Sequence, residues 1–478
     1  MTVSAMGGNR ETSRRQGDGA AAGRPGQGGE GSRRWIQTTP DRPLSHDPLP
    51  VGPVDGPADL EADGRMLQSL RGFGGCFNEL GWMALSALDG ETREAALADL
   101  FSHEGLDLGF NRTPVGANDF ASSWYSYDET PGDWDLHDFS LSRDEEAIIP
   151  YIRAAQAFQP GMGLFASPWS PPTWMKNPPV YNYGRIVMDR RNLETYARYL
   201  LRYVEGYRER GIRIDQLHVQ NEVFADQKFP SCLWSSDDMR IFIRDYLGPL
   251  FHERAPQTAI FLGTLNGPTD MAFTPSGMAL DNYNRYVDNI LFDDECRRYI
   301  SGIGYQWEGR NEIERTHRSW PEIELEQTES ECGTGDNSWE YAEYIFGLIN
   351  RYLTAGATCY TYWNMALDQS AVSTWGWRQN SLLTVDRQAG VYRRNPEYYV
   401  MRHFSHYVHP GARLLETGGH FGSLALAFAN PDGSRVVVAQ NPLDRPLRFA
   451  FADRSDPAVR AAGFDVTLQP RSFNTFIL

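Results

Sequence analysis

The stretch "IDQLHVQNE", residues Ile214–Glu222, decides how the chain is read. It begins as an alternation of apolar and polar side chains, the period of a β-strand. The alternation stops at Asn221 and Glu222, and the "VFADQKFPSC" that follows has no regular period. A carboxylate placed where a strand runs into a loop is either a solvated loop charge or a group held for chemistry. What the rest of the chain builds around it decides between the two.

Outward from this stretch, short strand-like runs recur: "GLFASPW" (163–169), "AIFLGTLN" (259–266), "ISGIGYQW" (300–307), "IELEQTE" (323–329) and "ATCYTYWN" (357–364). Helical patterns lie between them. In "SWEYAEYIFGLINRYLTAG" (338–356), Tyr341, Tyr344, Ile345, Leu348, Ile349 and Tyr352 fall on one helical face, and Gly356 is placed to stop the helix. "SRDEEAIIPYIRAAQAF" (142–158) reads as a second helix, with Ser142 and Glu145 spaced as a capping box and Pro150 positioned to kink it. Strand and helix alternate to about residue 400, which predicts parallel βα units closed into a (β/α)8 TIM barrel. Beyond it, "GSLALAFANPDGSRVVVAQN" and "FDVTLQPRSFNTFIL" are alternating runs around turn residues, the texture of an appended β-sandwich. The expected division is a disordered tail over 1–34, an N-terminal segment over 35–66 that joins the sandwich, the barrel over 67–400, and the sandwich over 401–478.

The chain of 478 residues is 41% hydrophobic and holds 13 Trp and 23 Tyr, ample for a large core with aromatic rings left over for flat ligands. A net charge of −17 argues against nucleic acid and anionic membranes as partners. Five scattered cysteines form neither a disulfide framework nor a metal set, so no metal is expected. No apolar run is long enough for a membrane span, and the Gly- and Arg-rich N-terminus lacks the apolar core of a signal peptide. A cytoplasmic location is the expectation. The Gly-rich "RGFGGCFNE" (71–79) opens no phosphate-binding helix, Cys332 has no evident His partner, and "FDDEC" (292–296) reads as a helix cap.

In a βα barrel, reacting groups sit where strands end. The polar residues at those ends are Arg112 and Asp119, Trp169, Asn221 with Glu222, Gln306 with Trp307, Glu329 and Glu331, Trp363 with Asn364, and Asn380. Carboxylates, amides, one arginine and several indoles make the inventory of a sugar-cleaving site. Two carboxylates do the acid, base and nucleophile work, amides and arginine bind hydroxyls, and indoles stack on the ring. Glu222 and Glu329 stand 107 positions apart (329 − 222). At about 35 residues per βα unit that is three units, as for strands four and seven, which face each other across a barrel mouth. Taken singly, each glutamate reads as a solvated loop charge. As a pair at opposed strand ends they fit the separation of about 5 Å that double displacement requires. Alternation places Glu331 on the same face as Glu329, so it stands as an alternative nucleophile.

Several segments, in order, resemble glycoside hydrolase family 30, in particular its glucosylceramidase-like branch. They are "GFGGCFNELGW", "NRTPVGANDF", "YDETPGDWDLHDFSL", "ASPWSPPTWMK", "NEVFADQKFPSC", "TESECGTG", "YWNMALD" and "WGWRQNS". The resemblance implies a (β/α)8 barrel with a side sandwich built from both chain ends, and cofactor-free, retaining hydrolysis of a β-glycoside, either a small molecule or an oligosaccharide. It carries the acid/base role to Glu222, a sugar 2-hydroxyl contact to Asn221, and the nucleophile role to Glu329. It carries support of the nucleophile to Arg112, hydroxyl contacts to Asp119 and Trp169, and further pocket roles to Trp363 and Asn380. The chain departs from that branch at "GYQWEG", where Gln306 and Glu308 stand near the nucleophile. Glu308 is thereby expected to bind a second sugar. The expected activity is exo-cleavage of a terminal β-linked hexose, as in a β-glucosidase. β-Xylosidase, β-fucosidase and β-1,6-glucanase or galactanase are alternatives, and a non-catalytic carbohydrate-binding relative is disfavoured because both carboxylates are present.

Overall fold

The computed structural model describes residues 33–54, 56–267, 283–455 and 462–478. The tail expected over 1–34 lies almost wholly outside them. Eight strands form a closed parallel barrel: β1 (Gly72–Cys76), β2 (Phe110–Val115), β3 (Gly163–Pro168), β4 (Gln216–His218), β5 (Ala259–Leu265), β6 (Ile300–Gln306), β7 (Glu324–Glu329) and β8 (Ala357–Asn364). Each of the six strand-like runs between residues 163 and 364 supplies one of them, β3 to β8. The stretch Ile214–Glu222 contains β4. Its regular part is three residues long, but its backbone stays docked further along. Gln220 N–H donates to Gly263 O at 3.2 Å and Glu222 N–H to Thr264 O at 2.9 Å.

The barrel interior is packed, not hollow. His218 lies between the rings of Phe165 and Phe261, at 4.7 and 4.8 Å between centroids, and burial holds its imidazole well below its usual pKa. Between β1 and β2 the backbones approach so closely that a Cβ on Gly74 would stand 1.7 Å from the carbonyl oxygen of Phe110, so only glycine fits there.

The helix Trp339–Thr354 forms as its periodicity predicts, with Ser338 accepting from Tyr341 N–H at 3.2 Å and Gly356 at φ +100° just past the end. The second helix differs from expectation. The chain makes a short 3-10 turn at Asp144–Glu146, and the α-helix begins only at Ile148, with no capping box from Ser142. Pro150 is accommodated within this helix. It falls in the first turn, where a backbone N–H has no helical partner to lose.

The second fold is one sheet of ten strands that closes over itself. Phe464 and Phe476 belong to strands far apart in the sheet order, yet their rings stack at 4.3 Å. Leu60, Val437, Phe449 and Phe451 complete this inner layer. Both chain ends build it: Arg34–Thr39 pairs antiparallel with Ser472–Ile477. The strand Leu60–Ser69 and the helix Pro396–Ser405 run through the expected boundaries at 66 and 400, so continuous elements join sandwich and barrel. Among the described residues, no helix is long and apolar enough to cross a membrane.

Candidate active site

The C-terminal ends of the barrel strands frame a cleft of about 430 Å³. Its organising group is Arg112 on β2, whose side chain is wholly buried. A buried guanidinium must place its N–H groups, and this one does. Nη1 donates to Glu329 Oε2 at 2.6 Å and Nη2 to Asn221 Oδ1 at 2.6 Å. Nε and Nη2 both reach Ser167 Oγ, at 3.0 and 2.8 Å. The faces of the guanidinium lie 4.5 Å from the Trp169 ring and 5.5 Å from the Trp363 ring. One cation thus ties together β2, β3, β7, β8 and the segment that follows β4.

Glu329 ends β7 and is the carboxylate that receives this charge. Gln306 Nε2, at the end of β6, donates to the same oxygen at 2.9 Å. Asn221 Oδ1 is used inward, accepting from Arg112, from Gln306 at 2.6 Å and from Thr264 at 3.1 Å. Asn221 also lines the cleft, so its amide nitrogen is the group it offers to a ligand.

Glu222 lines the cleft without an ion-pair partner among the described residues. Its backbone is left-handed, with φ +49°. For a side chain with a Cβ that conformation costs about 1–2 kcal/mol. It is retained here because the docked N–H of Glu222, and its carbonyl, which accepts from Ala225 at 2.8 Å, fix the turn. Burial first, then the charge of Glu329 and of Asp119, push the Glu222 carboxyl well above the usual carboxylate range. Burial also raises Glu329, but the charge and hydrogen bond of Arg112 oppose it. Of the two, Glu222 is the carboxyl pushed further toward its protonated form, because it has no such counter-ion. Asp119, also in the cleft, is pushed up to about 8 by burial and the charge of Glu329.

Trp169 and Trp363 form the cleft floor, each 1% exposed. Glu331 also lines the cleft. It is held by the hydroxyl of Tyr344 at 2.6 Å, not by Arg112, so the two glutamates that alternation left equivalent stand in different settings.

Two expectations are corrected. Asn380 does not reach the cleft. It is fully buried behind the loop after β7, its oxygen accepting from Gly335 and Asn337 N–H at 2.8 and 3.2 Å and its nitrogen donating to Glu397 at 2.6 Å. The backbone donors of that loop outcompete the cleft for its amide. Glu308 also faces away. A 3-10 turn over Trp307–Asn311 brings Trp307 to the cleft and leaves Glu308 beside Arg310, at 3.8 Å. Replacing Asn380 by Ala is expected to lower thermal stability, by about 2–4 kcal/mol for an amide with this many buried contacts. A thermal-unfolding scan reads this; unchanged stability with weakened sugar binding would return Asn380 to the cleft.

The cleft also holds residues the strand-end reading did not single out: Phe229, Asn266, Trp375, Trp377 and Gln379. The "WGW" at 375–377 was the available signal. It lies in an excursion between strands Ala366–Asp368 and Leu383–Asp386 of a separate small sheet, where counting barrel strands does not lead.

The chain matches two family models: the glycosyl hydrolase family 30 TIM-barrel domain over residues 70–408, and the glycosyl hydrolase family 30 beta sandwich domain over residues 420–476. The chain belongs to glycosyl hydrolase family 30. As a member it is a glycoside hydrolase. It is 26% identical to the lysosomal acid glucosylceramidase of Mus musculus, covering 86% of this chain and 82% of that one. It is 27% identical to an endo-1,6-beta-D-glucanase of Neurospora crassa, covering 81% and 82%. Among solved structures it is similar to SrfJ from Salmonella typhimurium, with a TM-score of 0.83 at 25% identity, covering 93% of this chain and 99% of that one. The relatives thus include, by name, a glucosylceramidase and an endo-1,6-beta-D-glucanase.

Proposed function

We propose that this family 30 member is a retaining, exo-acting β-glycosidase that releases a terminal β-linked hexose, with Glu329 as nucleophile and Glu222 as acid/base. The observation that supports it is the asymmetry of the two carboxylates. Glu329 has a guanidinium at 2.6 Å, and Glu222 faces the same cleft with none. Glu222 donates its proton to the glycosidic oxygen as the C–O bond breaks, and Glu329 forms the bond to the anomeric carbon. Glu222 then removes a proton from water, whose oxygen displaces Glu329 and leaves the anomeric configuration unchanged. Arg112 keeps Glu329 ionised, and Asn221 presents its amide N–H to a sugar hydroxyl. Asp119, Trp169 and Trp363 enclose the floor, which favours a pocket for a chain end over an open groove.

A panel of aryl β-glycosides, with glucosylceramide included, tests the substrate. Hydrolysis fastest on the glucoside supports the reading, and preference for xyloside, fucoside or galactoside moves it to the corresponding alternative. Proton NMR of the first-formed product tests the stereochemistry: a β-anomer supports double displacement, an α-anomer sinks it.

The pH profile follows from the same pair. Activity requires Glu329 ionised and Glu222 protonated. The rate therefore falls on the acid side as Glu329 gains its proton and on the alkaline side as Glu222 loses its own. Because burial raises both carboxyls, both limbs are expected above the ordinary carboxylate range, read as kcat/KM against pH.

A further inference from the structure

Beyond the paired carboxylates, the cleft carries an aromatic feature that chemistry on a single terminal sugar does not use. The rings of Trp375 and Trp377 stack at 5.3 Å with 24° between planes, and Trp375 in turn meets Phe229 at 5.6 Å. Phe229 lies on the loop that Glu222 begins, so this contact spans the cleft from the loop after β4 to the excursion after β8. The excursion is anchored: Thr374 N–H donates to Asp119 O at 3.1 Å, and Trp377 N–H donates to Ser373 Oγ at 3.0 Å.

Three properties mark these rings as a ligand surface. Exposure is graded. Trp169 and Trp363 at the floor are 1% exposed, whereas Trp377 is 46% exposed, a large indole left open at the mouth. The buried Nε1–H of Trp375 has no hydrogen-bond partner among the described residues, and a buried donor without one is costly unless a ligand or water supplies it. The polar groups beside the rings are amides and a carboxylate, Gln227, Gln379 and Glu331, and Glu331 is already fixed by Tyr344. Flat indole faces with hydrogen-bonding groups around them fit a pyranose, which has C–H faces and a hydroxyl rim. A lipid tail needs a continuous apolar wall, and these amides and this carboxylate interrupt one.

We propose that Trp375, Trp377 and Glu331 form a subsite for a second sugar, so that the preferred substrate is a β-linked disaccharide or oligosaccharide whose leaving group is itself a saccharide. The inference rests on the proposed exo-glycosidase reading, which places the terminal sugar at the floor and therefore the leaving group at the mouth.

The test compares two substrates that share the terminal sugar. β-Glucosyl fluoride has a leaving group too small to reach the mouth; β-linked glucose disaccharides fill it. With Trp377→Ala, and separately Trp375→Ala, kcat/KM on disaccharides is expected to fall at least about 10-fold, as for loss of one good stacking contact, and on the fluoride no more than about 3-fold. Trp377→Phe, which keeps a ring, is expected to restore most of the disaccharide rate and guards against misfolding. Equal losses on both substrates, or none on the disaccharides, overturns the subsite. Faster turnover of glucosylceramide than of every disaccharide also overturns it, in favour of a lipid. Failure to hydrolyse even the fluoride overturns the glycosidase reading itself, a separate result.

Discussion

Glu329→Gln is expected to abolish turnover of every β-glycoside, activated or not, by at least about 10⁴-fold, because no other group replaces a nucleophile that must form a covalent bond. The substitution keeps the shape of the side chain and one oxygen that can still accept from Arg112. Loss of activity therefore reports lost nucleophilicity, provided circular dichroism shows the fold unchanged. The same substitution at Glu331 separates the two glutamates of "TESE". Glu331 is held by a tyrosine hydroxyl and has no contact with Arg112, so Glu331→Gln should retain hydrolysis of activated substrates. A 2-deoxy-2-fluoro glycoside with a good leaving group traps the covalent intermediate, and peptide mapping then locates it. Label on Glu331, or wild-type rates in Glu329→Gln, would reverse the assignment.

The sequence was legible where chemistry and fold impose the same pattern. Strand ends in a parallel barrel must carry the polar residues that line its mouth, and Arg112, Asn221, Gln306 and Glu329 converge there through direct hydrogen bonds. It was less legible where side-chain direction depends on competing partners. Asn380 lies at the right level of the fold, but the loop after β7 offers two backbone donors and Glu397 one carboxylate, and these take the amide. Glu308 follows a strand end by two residues, and one 3-10 turn is enough to swing it away. Nor does any propensity announce the left-handed backbone of Glu222 at φ +49°. The docking of its N–H on β5 and the bond its carbonyl accepts from Ala225 require it.

That backbone is relevant to the second large effect. Glu222→Gln is expected to separate substrates by leaving group. For disaccharides and alkyl glycosides, whose oxygen must be protonated as the bond breaks, kcat/KM should fall by about 10²–10⁴-fold, the contribution of a positioned general acid. For dinitrophenyl glycosides, whose leaving group needs no proton, bond cleavage should persist. The glycosyl-enzyme on Glu329 should then accumulate, because the base that activates water is also gone, and stopped-flow absorbance should show a burst of phenolate followed by slow turnover. Azide, a nucleophile that needs no base, should restore that turnover and give a β-glycosyl azide. The alkaline limb of the pH profile should vanish on the same substrate, since the group that loses its proton there has been replaced. Glu222 is already protonated and uncharged across the acid limb, so substitution by Gln removes no charge there, and that limb, set by burial of Glu329 against the opposing charge of Arg112, should stay in place. An equal loss on both leaving-group classes, with no burst and no azide rescue, would mean that Glu222 shapes the cleft without carrying the proton.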